Sequence, residues 1–484
     1  MTLTEPEVRA TIVGALTMMF LAALETTIVA TALPSIAADL GEVHLLSWIV
    51  TAYLLTSTCI TPIAGKLGDL YGRRRVLHVA LAVFLAASVL CALATSMLGL
   101  IFARALQGIG GGALITSSQA AVADVVSPRE RGRYAVYFSI VWGGSSLLGP
   151  SLGGIMAQHL GWPSIFWLNL PVGLAALLMA DRALRRLPVH GRKGYLDFVS
   201  LALLGLGTTA LLMALSLGGA HYPWASPEII AGGAAGIVLL LGFGFRQARI
   251  PEPILPTRFL EDRVVGPVLA GIFLSFGAYM VVAVLAPTYF QVGLQIPAAT
   301  VGLLMMPMMI SSTSTAWAAG RYSKASGRYR LPPFLGLPVS IVSLGLLAHF
   351  AERVTALEAT VLLTIFGFGI GPIFPVTMVA AQNAVERRDL GTVTGAIGFS
   401  RALGAAVLIA AGSALVLGLI VAWVPDTAGL ASLDELVRRP LAGPARVEVA
   451  RAFGALFWSV AAVLAVSLAV FTVVEDRPLK TTLE

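Results

Sequence analysis

The sequence predicts an all-α membrane protein of fourteen transmembrane helices, built as two six-helix bundles with two helices inserted between them and both termini cytoplasmic. Three observations carry that expectation. Of 484 residues, 57% are hydrophobic and only 12% charged, whereas a soluble domain holds about 25% charged residues, so there is too little polar surface to face water. The apolar residues come in runs long enough to cross a bilayer, with basic residues concentrated on alternate loops between them. A loop and a helix from the first half of the chain recur in the second.

Composition excludes several classes. A disordered chain is poor in apolar residues and rich in net charge. A net charge of +7 would suggest nucleic acid in a soluble protein, but arginines placed between apolar runs orient a membrane chain instead, so no nucleic-acid partner is expected. Cys59 and Cys91 both lie inside apolar runs and offer neither a disulfide framework nor a metal site. His44, His78, His159, His190, His221 and His349 fall in loops or at span ends, without metal-ligand spacing or a nucleophile-base pair. No cofactor, metal or enzyme chemistry is expected. The chain also lacks the glycine-lysine loop that cradles nucleotide phosphates, which leaves an ion gradient as the energy source.

A helix needs about 20 mostly apolar residues to cross a bilayer. In order, the spans run from Thr11 to Leu33, Leu46 to Ile63, Val76 to Ala94, Leu98 to Ala121, Tyr134 to Ala157 and Pro163 to Ala180. Two more, Leu196 to Leu217 and Pro227 to Phe245, follow a basic stretch. The last six are Val264 to Ala286, Ala298 to Ala319, Leu331 to Phe350, Ala356 to Ala381, Val393 to Val421 and Arg451 to Val474. Most of the 32 lysines and arginines then fall on one set of loops, which the positive-inside rule makes cytoplasmic. Ala30-Thr31-Ala32 is similar to a signal-peptidase site, but the run around it is longer than a signal core, contains Glu25 and is followed by Pro34. We read it as span 1.

The stretch from Gly65 to Arg75 recurs as Gly320 to Arg330, with Gly65, Gly72, Arg73 and Arg75 matched identically; Gly108, Gly110 and Gly112 recur as Gly367, Gly369 and Gly371. Both matches map spans 2 to 4 onto spans 10 to 12. The chain therefore divides into residues 1–181, an insert at 182–263 carrying spans 7 and 8, and residues 264–484. Parallel repeats of this kind are a transporter architecture, with substrate bound near the midplane between them.

These motifs resemble the major facilitator superfamily, and in particular its fourteen-helix drug:proton antiporter branch. Gly65 to Arg75 is similar to the family's motif A. Its Gly65, Asp69, Gly72, Arg73 and Arg74, with Asp124 and Arg129 at the end of span 4, are expected to form a cytoplasmic charge latch. Arg104 to Gly111 on span 4 resembles motif B. Gly144, Gly149, Pro150, Gly153 and Gly154 on span 5 resemble motif C, which implies antiport. Leu24 to Pro34 resembles the branch's own signature with Glu25 in place of aspartate, and Phe166 to Pro171 is further branch-like text that includes Asn169.

Glu25 is the carboxylate set well inside a span, about 12 Å from Leu33 at 1.5 Å per residue. Arg104 lies at a similar depth, about 9 Å from the outer end of its span. An intramembrane arginine costs at least about 2.5 kcal/mol, so it either meets a partner or snorkels to the interface. Burial favours a protonated carboxyl and a guanidinium neighbour an ionised one, so parting the two would switch proton affinity; the competing reading is a structural ion pair. Arg401 is expected a turn or so from the cytoplasmic end of span 13, snorkelling. Tyr53, Gln107, Trp142, Phe276, Tyr279, Met305, Met306, Phe366 and Phe374 are the candidates for a pliable substrate cavity, methionine being adaptable to varied shapes.

The resemblance implies a monomeric, multi-pass exporter of small lipophilic compounds, cations among them, driven by protons and embedded in lipid. Arginine-dominated basic charge and abundant alanine and glycine point to a bacterial inner membrane. Exchange of one monocation for one proton through one carboxylate would be electroneutral. An exporter of lipids or lipid-like amphiphiles is the alternative, and a proton-independent facilitator or membrane sensor a more distant one. The outer stretch from Trp423 to Pro444 is expected to be a mixed-charge connector or lid.

Overall fold

A computed structural model describes residues 5–42, 45–184, 197–219, 222–424 and 444–480. Residues 425–443 of the stretch expected to be a connector or lid, the basic stretch from 185 to 196, and His44, His190 and His221 lie outside the described residues. Helix dominates, because a chain in hydrocarbon must satisfy every backbone N–H and C=O within itself.

Helix α1 spans Glu5–Ile28, passes through a 3-10 turn at Val29–Ala32 and continues as α2, Leu33–Leu40. The first span thus runs on past Leu33, where the sequence suggested an end. Helices α3 (Leu46–Tyr71), α4 (Arg73–Ala92), α5 (Met97–Val125) and α6 (Pro128–His159) follow, then a crossing broken at Leu168 into α7 (Pro163–Trp167) and α8 (Asn169–Leu184). Helices α9 (Phe198–Leu217) and α10 (Pro227–Gln247), which cover the expected insert, pack on each other, and the short α11 (Arg258–Glu261) follows. The C-terminal set is α12 (Val265–Thr288, with a π turn at Tyr289–Gly293), α13 (Ala298–Ser326), α14 (Leu331–His349), α15 (Ala356–Ile370) with α16 (Ile373–Ala384), α17 (Leu390–Trp423) and α18 (Pro444–Val473).

Among the described residues, eleven helices are long and apolar enough to cross a membrane. Helix also covers the other three expected spans, but they fall below that test. The hydroxyl run Ser311 to Thr315 dilutes α13, glycines and serines dilute α6, and the break at Leu168 leaves α7 and α8 short.

The core sits inside each set of helices rather than between them. The N-terminal helices enclose two apolar clusters, one around Met18, Leu77 and Phe84 and the other around Leu24, Leu100 and Phe166. The C-terminal helices share one large cluster that includes Phe290, Leu344, Phe366 and Phe457. The repeated glycines do the same work in both. A Cβ on Gly108 would strike Tyr53 O and Thr56 Oγ1 on α3, and one on Gly112 would strike Ser57 O. On α15, Gly367 faces Met308 O and Ser311 Oγ of α13 in the same way, and Gly371, just past its end, faces Ser312 O.

The two sets touch along two seams, α3 against α17 and α6 against α13. Along the first, Gly65 abuts Gly391 O, and Gly395 packs on Thr61 and Pro62. The insert leans on this same seam: Leu204 and Phe243 pack with Ile63 of α3 and Phe399 of α17, and Cys59 Sγ lies 3.7 Å from Thr209 Oγ1 of α9. The chain leaving the insert is tied to both sets. Lys66 pairs with Glu252 at 3.1 Å, and Arg258 pairs with Asp389 at 2.6 Å.

Candidate functional site

Helices α1, α4, α5 and α8 bring one polar cluster into the N-terminal core. Arg104, seven residues into α5, donates from Nη1 to Glu25 Oε1 at 2.6 Å and to Gln107 Oε1 at 2.6 Å, and from Nε to Ile49 O at 3.2 Å. Its guanidinium lies 4.4 Å above the Tyr53 ring. Asn169 Nδ2 donates to Glu25 Oε2 at 2.7 Å and also reaches Ser88 Oγ at 3.1 Å, which in turn accepts from Gln107 Nε2 at 2.8 Å. Glu25 and Arg104 are each 1% exposed, so both charges have left solvent and each is compensated by the other and by neutral dipoles.

Local sequence explains why the pair meets. Helix α1 gives way to the 3-10 turn at Val29, one helical turn beyond Glu25, and small residues let α6 press against that segment. A Cβ on Gly149 would strike Thr27 Oγ1, and one on Gly153 would strike Ile28 O and Thr31 Oγ1. Thr27 Oγ1 also donates to Ser145 O at 2.9 Å. Gly144 and Gly154, by contrast, face open space, so only half of the glycines expected in this motif hold α6 against α1. Pro150 lies within α6 on an exposed face.

The second cluster lies at the basic end of the bundle. Gly72 turns the chain between α3 and α4 with a φ of 89°, a conformation that glycine adopts without steric cost. Arg73 then turns inward, reaching Asp69 Oδ1 at 2.5 Å, Asp124 Oδ2 at 2.9 Å and Gly65 O at 3.4 Å. Asp69 accepts from Gly391 N at 3.0 Å, Thr392 N at 2.6 Å and Thr392 Oγ1 at 2.6 Å. An acid of the N-terminal set thus caps α17 of the C-terminal set, where free N–H groups and the positive end of the helix dipole favour an anion.

Other ties cross at the same level. Arg129 donates to Lys324 O and Ala325 O, Lys324 pairs with Glu130 at 3.0 Å, Arg131 reaches Gln382 O at 3.2 Å and Arg387 reaches Asp124 O at 2.8 Å. These hydrogen bonds between the two sets gather at one end, which is therefore closed. Arg74 takes no part: it pairs with Asp181 at 2.8 Å, within the N-terminal set, where His78 joins it.

The expected cavity residues divide. Tyr53 (1% exposed) and Gln107 (0%) belong to the Glu25 cluster, and Phe366 (0%) and Met305 (7%) are buried in the C-terminal core, so in this conformation all four side chains are enclosed by their own helices. Trp142 is half-buried and Met306 exposed. Phe276, Tyr279 and Phe374 are partly buried and meet edge-on or tilted, with ring centroids 5.4 to 6.3 Å apart. Arg401 is a correction. It sits eleven residues into α17, about 16 Å along the helix, with its guanidinium 4.3 Å above the Phe276 ring, too deep to snorkel. Sequence reasoning assigned no role to Ser88 and gave Asn169 none beyond resemblance; a neutral polar residue inside an apolar run was the available signal.

Two helical sets joined at one closed end, each with its own core and one holding a buried ion pair, define a multi-pass membrane transporter. Residues 15–409 match the Major Facilitator Superfamily, and the chain belongs to it. Multidrug transporter protein MdtP of Bacillus subtilis (strain 168) is 35% identical over 394 residues, 81% of this chain and 72% of that one. Multidrug resistance protein fnx1 of Schizosaccharomyces pombe is 32% identical over 436 residues, 87% of this chain and 81% of that one. The solved proton:xylose symporter XylE superposes with a TM-score of 0.62 at 15% identity, covering 99% of this chain and 98% of that one, a likeness of fold alone.

Proposed function

We propose that this chain is a proton-coupled antiporter that exports lipophilic compounds by alternating access, with Glu25 as the coupling carboxylate. The observation that carries the proposal is the geometry of that carboxylate: it is sealed from solvent, held by Arg104 and Asn169, and set on the α1 segment that α6 grips through Gly149 and Gly153. A rocking motion that shifts α1 against α5 separates the pair, and a carboxylate deprived of its guanidinium in a dry site takes up a proton. Relatives named for multidrug transport support export of drugs or toxic compounds.

In this reading fourteen helices cross the membrane, residues 1–181 and 264–484 are the two rocking units, and residues 182–263 are inserted between them. Both termini and the closed basic end face the cytoplasm, the site for substrate faces outward in the conformation described, and a bacterial inner membrane holds the protein as a monomer. The test is efflux of fluorescent lipophilic dyes, cationic and anionic, from cells expressing wild type or Glu25→Gln, with and without a protonophore. Efflux abolished by both treatments is expected. Efflux that survives both overturns proton coupling, and no efflux of any dye moves the reading to lipid export.

A further inference from the structure

Among the described residues, two arginines lie deep within the long apolar helices, and one of them has a counter-ion. Arg104 is neutralised by Glu25. Arg401 has no such partner: its Nε is buried without a hydrogen bond, and among the described residues no carboxylate or carbonyl engages its guanidinium. An uncompensated charge at this depth is costly and marks a functional position by default.

The direction in which Arg401 points follows from its neighbours on α17. Gly398 packs on the Thr61 side chain of α3, in the N-terminal set, while Gly404 packs on Phe273 of α12. Residue 401 lies midway between them in sequence, and each three-residue step rotates by about 60° around the helix. Arg401 therefore projects into the angle between α3 and α12, where the two sets face each other. Its depth follows from the same seam. Gly65 of α3 meets Gly391, and Thr61 meets Gly395 and Gly398, so Arg401 is level with the middle of α3. The residue keeps partial exposure there.

Its surroundings are aromatic. Phe276 and Phe374 lie 4.3 and 5.9 Å from the guanidinium, and Tyr279 packs on both rings. Phe374 is delivered by the break at Gly371 and Pro372 that separates α15 from α16. Stacking on Phe276 holds the guanidinium in place by a cation-π contact without using its hydrogen-bond donors. A guanidinium with unused donors is the side chain best suited to grip a carboxylate, sulfonate or phosphate through two parallel hydrogen bonds.

We infer that Arg401, with Phe276, Tyr279 and Phe374, forms a binding site for amphiphilic organic anions, the acidic head pairing with the guanidinium and the apolar body packing on the rings. The inference deepens the exporter reading by fixing the charge of the substrate and rests on it for the direction of movement. It also replaces the electroneutral cycle expected for a cation. Moving one monoanion outward and one proton inward transfers two positive charges inward per cycle, so an interior-negative potential drives export even without a pH gradient.

The test uses the full chain in lipid nanodiscs and three probes that share a pyrene tail but carry a carboxylate, a hydroxyl or a trimethylammonium head. The expected result is that wild type binds the carboxylate at least tenfold tighter than the ammonium. Arg401→Gln removes that preference while changing hydroxyl binding less than twofold, and Arg401→Lys retains part of it. Equal binding of all heads, or tightest binding of the ammonium, overturns the inference, as does an Arg401→Gln variant that keeps the preference. Because binding needs no gradient, it separates this site from proton coupling. In proteoliposomes, carboxylate transport indifferent to a pH gradient would sink the antiport reading and leave the anion site standing, whereas gradient-driven transport of the ammonium alone would do the reverse.

Discussion

The buried pair of Glu25 and Arg104 supports a quantitative prediction through a double-mutant cycle. In Glu25→Gln, Arg104 keeps Gln107 Oε1 and Ile49 O as acceptors and Tyr53 beneath it, but its charge is orphaned. In Arg104→Met, Glu25 keeps only the donor from Asn169. Breaking a buried pair by removing one partner costs about 3–5 kcal/mol, whereas replacing both charges by neutral groups of similar volume is often close to neutral. Glu25→Gln is expected near the lower end of that range, because two acceptors remain, and Arg104→Met near the upper end, moderated as the carboxyl protonates. The double variant should lose far less than the sum of the two, giving a coupling of several kcal/mol, and yet should transport no better than either single variant. Denaturant unfolding in detergent micelles measures the first quantity and gradient-driven dye efflux the second. A double variant as unstable as the sum of the singles would refute the pairing; one that transports normally would reduce it to packing.

Three further outcomes are expected. Asp69→Asn loses the charge from three hydrogen bonds to the start of α17, each worth about 1.5–3 kcal/mol with a charged acceptor, and should open the basic end; cysteines placed at Glu130 and Lys324 should then cross-link at least tenfold more slowly. Arg73→Gln, which strands Asp69 and Asp124 in a buried site, should cost several times more stability than Arg74→Gln, whose 41%-exposed guanidinium contributes about 0–1 kcal/mol; comparable losses in unfolding experiments would contradict this. Gly153→Val should abolish transport by pushing α6 off α1, while Gly154→Ala, facing open space, should leave transport and expression unchanged.

Charged residues made the site legible in the sequence. A carboxylate and an arginine inside apolar runs must find each other or water, and equal depth counted from the helix ends was enough to suggest that Glu25 and Arg104 could meet. The latch was legible for a related reason: a glycine turn with one acid and clustered bases leaves few arrangements, though spacing alone gave no sign that Arg74 turns to Asp181 or that Asp69 caps a helix more than 300 residues away. Neutral polar residues left a weaker trace. Ser88 and Asn169 are cheap enough in an apolar run to pass as packing, and only their convergence on Glu25 and Gln107 separates them from it. The surroundings of Arg401 were the least readable feature. Arg401 stands eight residues from Val393, where its apolar run starts, as far in as Glu25 is from Leu33, and eleven from Leu390, where the helix starts; the same count that marked Glu25 as deep applied to it, and no pattern in the chain said that Phe276 lay beneath it.

The insert has a consequence for how molecules dissolved in the bilayer reach the interior. Rocking transporters of this architecture have two lateral clefts, one along each seam. The α9–α10 hairpin lies across the cleft of α3 and α17, and the segment leaving it is stitched to both lips through Glu252 and Arg258. In the rocking reading proposed above, the hairpin covers that flank, and sideways entry is expected between α6 and α13. A photoreactive lipid analogue should label those two helices and spare α3 and α17, and deleting the hairpin should make the labelling symmetric.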